Sequence, residues 1–242
     1  RPRGTCWLLG GAGAMGQMHT QLAVDDEHGP RRILVTDLDR TRIDNMVELL
    51  KPRIKQRDIE FETLNPKEFE SEDAFHDAVQ RFAPEGFDDI VMLVPVVPVV
   101  NNAVPFLAED GLMNIFAGIP AGKEAMLNVA DIVNHGARYV GSSGSRTHHL
   151  RHTLNLVESG ELEPVTALAA IGGMRSLWDG INGVAEARYP GKTVIFPHCE
   201  EMPLTPVSEI DQLGPDVGET LSDEGFYTLE TERAITRRYD NE

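Results

Sequence analysis

The stretch that decides the fold is TCWLLGGAGAMGQMHTQLAV, residues 5–24, followed by RRILVTDLD, residues 31–39. The apolar run at its start predicts a buried strand, and the glycines behind it, Gly11, Gly13 and Gly16, have the spacing G-x-G-x-x-G. An amphipathic helix is predicted from about 15 to 24, and a second strand from 33 to 36 leads into Asp37. A strand, a glycine turn, a helix, a strand and an acid in this order predict a dinucleotide-binding unit.

Each glycine of this turn is predicted to meet a different structural requirement of cofactor binding. Gly11 permits the tight turn from strand to helix, Gly13 leaves space for phosphates beside the main chain, and Gly16 lets the helix pack closely on the sheet. The unpaired N–H groups at the helix start, with the positive end of the helix dipole, then face the pyrophosphate.

Asp37 predicts which cofactor is bound. It stands 21 residues beyond Gly16 and would accept hydrogen bonds from the adenosine ribose hydroxyls. Because its charge would repel a 2′-phosphate, NAD is predicted and NADP is the less favoured cofactor. Two alternatives stay open: Arg40 and Arg42 follow closely and could serve a 2′-phosphate, and methyltransferases use a similar turn and acid.

The composition argues against several classes of partner. A net charge of −17 over 242 residues argues against nucleic acid, because phosphate backbones need basic patches. The longest apolar run, residues 90–100, is broken by Pro95 and Pro98 and is shorter than the ~20 residues of a membrane span. The two cysteines, Cys6 and Cys199, are far apart, so we expect no structural disulfide and a cytoplasmic location.

Strands and helices alternate along the rest of the chain. Strands are predicted at 59–64, 90–94, 112–119, 139–140, 165–171 and 193–196, with helices at 40–54, 73–82, 101–108, 147–158 and 177–187. The alternation predicts an α/β fold, a doubly wound parallel sheet (Rossmann fold) spanning residues 1–196. Residues 197–242 hold twelve acids and three bases and are expected to form a C-terminal extension with short helices at 207–213 and 229–235.

A doubly wound sheet binds its ligand at the carboxyl ends of its strands. The glycine turn and Asp37 occupy two of those ends. The others are predicted at Val94-Pro95, Ala117-Gly118 and Gly141-Ser142. These residues are therefore predicted to line one site.

The later motifs resemble a known family. They are GGAGAMGQMH from Gly10, DGLMNIFAGIPAG from Asp110, GSSGS from Gly141, LVESGELEP from Leu156, AIGGM from Ala170 and YPGKTVIFP from Tyr189. Together they resemble the cofactor domain of zinc-dependent medium-chain dehydrogenases. The nearest group is the sorbitol, threonine and sorbose-1-phosphate dehydrogenase or reductase branch, whose C-terminal end is similar to MPLTPVSEI from Met202. The resemblance covers nearly the whole chain.

The resemblance implies a role for each predicted site residue. The pyrophosphate would contact Gly11, Gly13, Ala14, Met15 and Gly16, and the adenosine ribose would contact Asp37. The backbone near Ala117-Gly118 and Val140-Gly141 would meet the nicotinamide carboxamide. The family also implies a homodimer or higher homo-oligomer, formed by pairing of Tyr139 to Ser142 across a two-fold axis.

The resemblance further implies an activity. The whole enzyme would move a hydride between a secondary alcohol, polyol or sugar phosphate and C4 of nicotinamide, with a catalytic zinc held by a domain that precedes the glycine motif. This sequence has no zinc-ligand spacing, so we expect a fragment that is inactive by itself and whose acidic extension packs on the missing domain. The alternative is a free-standing module that senses the NAD/NADH ratio without catalysis.

The histidines have ordinary interpretations. His148 and His152 share a helix face, a spacing that can hold a metal, but His149 between them and the surrounding residues do not complete a ligand set. A solvated helix end is predicted. His19, one turn beyond Gly16, could reach phosphates but is interpreted as a packed or surface residue.

Two further catalytic patterns are rejected. The spacing from Tyr189 to Lys192 is too short for a helical Tyr-x-x-x-Lys pair, and Pro190 lies between them. Ser142, Ser143 and Ser145 have no histidine–acid pair to activate them. These serines are interpreted as small residues that permit close approach.

Overall fold

The computed structural model describes residues 1–141, 144–162, 164–186, 188–223 and 225–240. It divides into two compact units, Arg1–His152 and Thr153–Glu242. The domain boundary that we predicted at 196/197 falls inside the second unit. The reason is that side chains beyond 197, among them Cys199 and Met202, share one core with Ile171.

The first unit contains a six-stranded sheet in which all the neighbouring strands are parallel. Its strands are β1 (Thr5–Leu9), β2 (Arg32–Thr36), β3 (Glu60–Leu64), β4 (Phe87–Met92), β5 (Leu107–Ile115) and β6 (Arg138–Gly141). Their order, β3-β2-β1-β4-β5-β6, is that of a doubly wound dinucleotide-binding sheet. The predicted Rossmann fold is therefore confirmed.

Helices connect these strands and cover both faces of the sheet. They are α1 (Ala14–Asp25), α2 (Arg40–Arg57), α3 (Glu72–Phe82), α4 (Val97–Ala103) and α5 (Val129–Asn134), and α6 (Thr147–Glu158) follows β6. Alternate residues of β1 enter two separate cores, Trp7 on one face and Leu8 on the other. Burial on both faces explains why the strands read as continuous apolar runs.

The segment between β4 and β5 differs from the prediction. We predicted a turn at the prolines and a helix at 101–108, whereas α4 begins at Val97 and β5 already begins at Leu107. Pro98 lies in the first turn of α4, where a missing N–H breaks no helical hydrogen bond. A register shift between Phe87 and Asp89 then accommodates the early start of β5. Helix α5 was not predicted.

The second unit has its own three-stranded sheet, in the order β8-β7-β9. Its strands are β7 (Leu168–Gly173), β8 (Lys192–Phe196) and β9 (Thr205–Pro206), and its helices are α7 (Leu177–Ala185), α8 (Pro215–Gly218) and α9 (Leu229–Tyr239). Our assignment of the strands near 165–171 and 193–196 to the doubly wound sheet was wrong. Local periodicity identifies a strand but does not identify its partner, and β7 pairs with β8 and β9.

Two properties of the chain bear on its chemistry. Within the described ranges, no helix is both long enough and apolar enough to cross a membrane. Cys6 and Cys199 are both free and buried. Burial raises the pKa of the Cys6 thiol to about 12, so this cysteine has no thiolate character at neutral pH.

Candidate dinucleotide-binding site

Six strand ends meet at one edge of the sheet in the first unit. The pairing register aligns one residue from each strand in a row across the sheet, in the order Leu64, Thr36, Leu9, Met92, Ile115 and Gly141. Every predicted site residue lies within five residues of this row along the chain, except Met15 and Gly16, which lie farther along in the first turn of α1. The structure therefore brings the predicted residues to the same edge.

The turn between β1 and α1 begins at Gly10, which sequence reasoning did not single out. Gly10 has φ +78, in the left-handed region that favours glycine, so the tight turn that we assigned to Gly11 occurs one residue earlier. Gly11 is needed for packing instead. A Cβ there would lie 2.6 Å from Val35 Cγ1.

Gly16 brings α1 against the turn. A Cβ at this position would lie 2.1 Å from the carbonyl oxygen of Gly10 and 2.4 Å from the carbonyl carbon of Gly11. Both atoms are backbone atoms that cannot rotate away. The close helix packing that we predicted from Gly16 is what the geometry requires.

Gly13 is different because its Cβ position is open. The nearest heavy atom to a Cβ there would be Gly10 O at 3.6 Å, an ordinary contact distance. Gly13 is the N-cap of α1, and no side chain caps this helix start. An uncapped N-terminus with an open position beside it leaves N–H groups and space for an anion such as a pyrophosphate.

Asp37 is held in place by the backbone around it. Its Oδ2 accepts a hydrogen bond from Ala12 N at 3.2 Å, and its Oδ1 accepts one from Asp39 N at 3.2 Å. The first contact ties the acid at the end of β2 to the glycine turn at the end of β1. The carboxylate is half-buried and remains accessible to a ligand.

A cavity of about 550 Å³ opens beside Asp37. Its walls come from the ends of β1 and β2, the segment after β3, α3 and the residues around α4. The apolar part includes Leu38, Phe69, Phe75 and Val99, and Phe69 meets Phe75 edge to face with ring centroids 5.5 Å apart. The size and the apolar walls suit a purine base.

The cavity also has a small polar group on one side. Glu72, His76 and Asn102 line it. Asn102 Nδ2 donates a hydrogen bond to Glu72 Oε1, and His76 Nε2 lies 4.0 Å from the same oxygen. These side chains offer hydrogen-bond partners for the edge of a base.

The predicted site residues that follow β4 and β5 differ in their relation to the cavity. Val94 lines the cavity, whereas Pro95 is exposed and does not line it. Ala117 N donates to Met92 O at 3.0 Å, which fixes the backbone beyond β5. Gly118 has open space at its Cβ position.

The end of β6 continues the same edge. Gly141, the last residue of β6, pairs with Ile115, and a Cβ there would lie 3.4 Å from Ile115 O. Val140 is 45% exposed. Ser142 and Ser143 lie outside the described residues, so the predicted Gly141-Ser142 strand end is described only at Gly141.

The histidines occupy exposed or packed positions. The His19 ring meets Phe116 edge to face at 4.5 Å, and its Nδ1 lies 2.8 Å from Met15 O, so it is engaged with neighbouring residues. His148 and His152 are exposed on α6. Among the described residues, no group of three or more His, Cys, Asp or Glu side chains could hold a metal ion.

Comparison with curated proteins identifies relatives of about twice this length. No model of a protein family matches the chain. It is 30% identical over 214 residues to mannitol-1-phosphate 5-dehydrogenase of Aliivibrio fischeri and 27% identical over 219 residues to L-sorbose 1-phosphate reductase of Klebsiella pneumoniae. Each match covers 87% of this chain and 49% of the relative. The chain therefore spans about half the length of the curated relatives it matches.

Solved structures agree on the fold. A 2R,3R-butanediol dehydrogenase from Bacillus subtilis is 16% identical with a TM-score of 0.62, and the match covers 81% of this chain and 52% of that one. A Sinorhizobium meliloti protein described as a zinc-binding dehydrogenase, solved bound to NADP, is 20% identical with a TM-score of 0.63, covering 81% and 53%. The predicted resemblance is confirmed. About half of each of these dehydrogenase structures shares the fold of this chain.

Sequence reasoning missed most of the cavity. Phe69, Phe75 and His76 follow β3, and their approach to Asp37 depends on the packing of α3 beside the sheet. A partial signal existed, because Phe75, Val79 and Phe82 share one apolar face of the helix predicted at 73–82. The sequence does not show whether an apolar helix face near the end of a strand fills a core or lines a cavity.

Proposed function

We propose that this chain is the NAD-binding part of an oxidoreductase that transfers a hydride between C4 of nicotinamide and a secondary alcohol, polyol or sugar phosphate. One observation carries the proposal. The open Gly13 at the start of α1, the carboxylate of Asp37 and the cavity beside it all lie at the carboxyl edge of the same sheet. The dehydrogenase relatives support the reaction class.

The cofactor would extend along this edge. Adenine would enter the cavity, with the ribose hydroxyls donating to Asp37. The pyrophosphate would lie at Gly13, and its contacts would continue to Ala14, Met15 and Gly16 at the start of α1. The nicotinamide would reach the backbone near Ala117-Gly118 and Val140-Gly141, where β5 and β6 end.

This placement favours NAD over NADP. Asp37 accepts backbone hydrogen bonds on both of its oxygens and is therefore held where a 2′-phosphate would have to sit. Replacing Asp37 with Asn should weaken NAD by about tenfold, the scale of a hydrogen bond to a charged group, and should weaken NADP much less. Asp58→Asn is a matched control, since Asp58 is an exposed acid at the end of α2 that does not line the cavity, and its left-handed backbone conformation is one that Asn also adopts.

The described residues of this chain do not fit a catalytic zinc. In our proposal, a zinc that polarises the substrate oxygen belongs to a domain outside this sequence, in the half of the relatives' length that the chain does not span. The chain's own contribution is to place the cofactor.

The test is to titrate the chain with NAD and NADP by calorimetry and to assay it with alcohols and polyol phosphates. We expect NAD to bind more tightly and no alcohol to be oxidised. Turnover by the chain alone would refute this division of labour, and equal affinity for both cofactors would refute the role of Asp37. A redox-sensing module would also bind without turnover. The two alternatives differ in what the gene encodes. The proposed oxidoreductase requires a metal-binding domain in the same gene, whereas a redox-sensing module does not.

We also propose that the chain forms homodimers through β6. This strand is at the edge of its sheet, and its residue Val140 is exposed. Met126, Val129 and Val133 nearby in sequence are exposed apolar residues as well. A two-fold axis lets an edge strand pair with its own copy. Sedimentation should give a dimer, and Val140→Pro should give a monomer; a monomeric unmodified chain would contradict the proposal.

A further inference from the structure

Two arginines follow Asp37 at the start of α2, and either could serve a 2′-phosphate if it were free. Neither is free. Arg42 Nε lies 3.4 Å from Oδ2 of Asp39, the N-cap of its own helix. Arg40 forms an ion pair with Glu68, which lies after β3 and not in α2.

The contact between Arg40 and Glu68 uses both carboxylate oxygens. Arg40 Nε donates to Glu68 Oε1 at 2.8 Å, and the terminal Nη2 donates to Oε2. The remaining terminal nitrogen of Arg40 lies 3.7 Å from Asp44. A bidentate pair fixes the plane of a guanidinium, not only its position. The hydrogen bonds raise the pKa of Arg40 and lower the pKa of Glu68, so both groups stay charged.

The pair is located at the border of the cavity. Leu38, two residues before Arg40, lines one side, and Pro66 and Phe69, which flank Glu68, line another. The ion pair therefore connects the two segments between which the adenosine ribose would lie. Both partners are exposed, so the pair contributes little to the free energy of unfolding.

We propose that Glu68 is a specificity-determining residue that restricts the site to NAD. It holds Arg40, the first cation after Asp37, in a bidentate ion pair, and it adds a second negative charge near the position of a 2′-phosphate. This inference rests on the proposed function, because it requires that the adenosine half of a dinucleotide occupies the cavity. Asp37 excludes the 2′-phosphate by direct repulsion. Glu68 excludes it by pairing with Arg40, the cation that would otherwise attract the phosphate.

The decisive variant is Glu68→Gln, which removes the charge while keeping the size. It should tighten NADP binding by about tenfold, because Arg40 becomes able to pair with the 2′-phosphate, and change NAD binding by less than about twofold. Glu70→Gln is the matched control. Glu70 is an exposed acid two residues along, and in the described part of the chain no ion pair involves it. It removes the same charge without releasing an arginine.

The double variant Glu68→Gln/Arg40→Gln identifies the responsible group. It should lose the gain in NADP affinity, since the released cation is absent. NADP affinity is read by displacement of NAD in calorimetry, and thermal unfolding of each variant should stay close to that of the unmodified chain.

Two results would overturn the inference alone: a gain in Glu68→Gln no larger than in Glu70→Gln, or a gain that persists in the double variant. Failure of the unmodified chain to bind NAD would overturn the proposed function and this inference with it. The NAD titration of the unmodified chain therefore separates the two failures.

Discussion

The two tryptophans of the chain mark a difference between its two units. Trp7 in the first unit is 1% exposed, and its indole N–H donates to Thr36 Oγ1 at 3.0 Å beside the cavity. Trp178, on α7 of the second unit, is 74% exposed. One tryptophan is part of a core and a site, and the other is part of a surface.

The helices around them repeat the contrast. Helix α3 in the first unit buries Val79 and Phe82. Helix α7 in the second unit buries only Gly180 and Gly183, while its large apolar side chains, Leu177, Trp178, Ile181 and Val184, are exposed. Helix α3 thus packs apolar side chains into the core of the first unit, whereas those of α7 are exposed. The cavity at the candidate ligand site is lined by residues of the first unit.

The largest expected effect is on Trp7. Trp7→Ala removes a fully buried side chain that contacts Phe87 and Phe106, with ring centroids 5.2 and 5.6 Å away. It should lower the free energy of unfolding by about 3–5 kcal/mol. Urea denaturation followed by circular dichroism measures the loss. A loss below ~1 kcal/mol would mean that Trp7 is not in a packed core.

A pair of glycines tests whether damage in each unit has separate consequences. Gly16→Ala would place a Cβ 2.1 Å from Gly10 O, and Gly173→Ala would place one 1.8 Å from Cys199 O. Each change should cost about 3 kcal/mol of stability, because only backbone atoms can yield. Gly16→Ala should also abolish NAD binding, whereas Gly173→Ala should leave it within about twofold, since the candidate site residues precede 142.

Thermal unfolding measures the loss of stability in both variants, and calorimetry measures their affinity for NAD. Equal loss of NAD affinity in the two variants would contradict the assignment of the site to the first unit alone.

The smallest expected effect is on Trp178. Trp178→Ala should change the free energy of unfolding by less than about 0.5 kcal/mol, because the indole is already in water. It also leaves Trp7 as the single tryptophan, so fluorescence then reports on the cavity. NAD should quench the remaining emission; a quench that disappears with Trp178 would place the ligand elsewhere.

Much of the first unit could be predicted because local sequence determines it. Strand β1 of this unit spans Thr5–Leu9, the apolar run from which we predicted it. Helix α6, which begins in this unit and ends in the second, has its predicted bounds, Thr147–Glu158. Glycine spacing, apolar runs and the acid after β2 are all short-range signals. The convergence of these residues at one edge then follows from the parallel sheet.

The rest depends on contacts between distant residues. The pairing of β7 with β9 and the shared core of Ile171 and Met202 join segments that no local pattern relates. The ion pair of Arg40 and Glu68 spans 28 residues and requires the register of β2 on β3. A sequence pattern can name the arginine, but only the fold shows which acid holds it.

The most direct test of the central claim is a calorimetric titration of NAD into the unmodified chain and into Gly13→Val. The Cβ position of Gly13 is open in the protein, so the variant should fold, losing about 1 kcal/mol for a poorer N-cap. Its side chain would occupy the space of the pyrophosphate. We predict one NAD per unmodified chain and a loss of about 100-fold or more in the variant, equivalent to ~3 kcal/mol of overlap. A folded Gly13→Val chain that binds NAD with unchanged affinity would contradict the account.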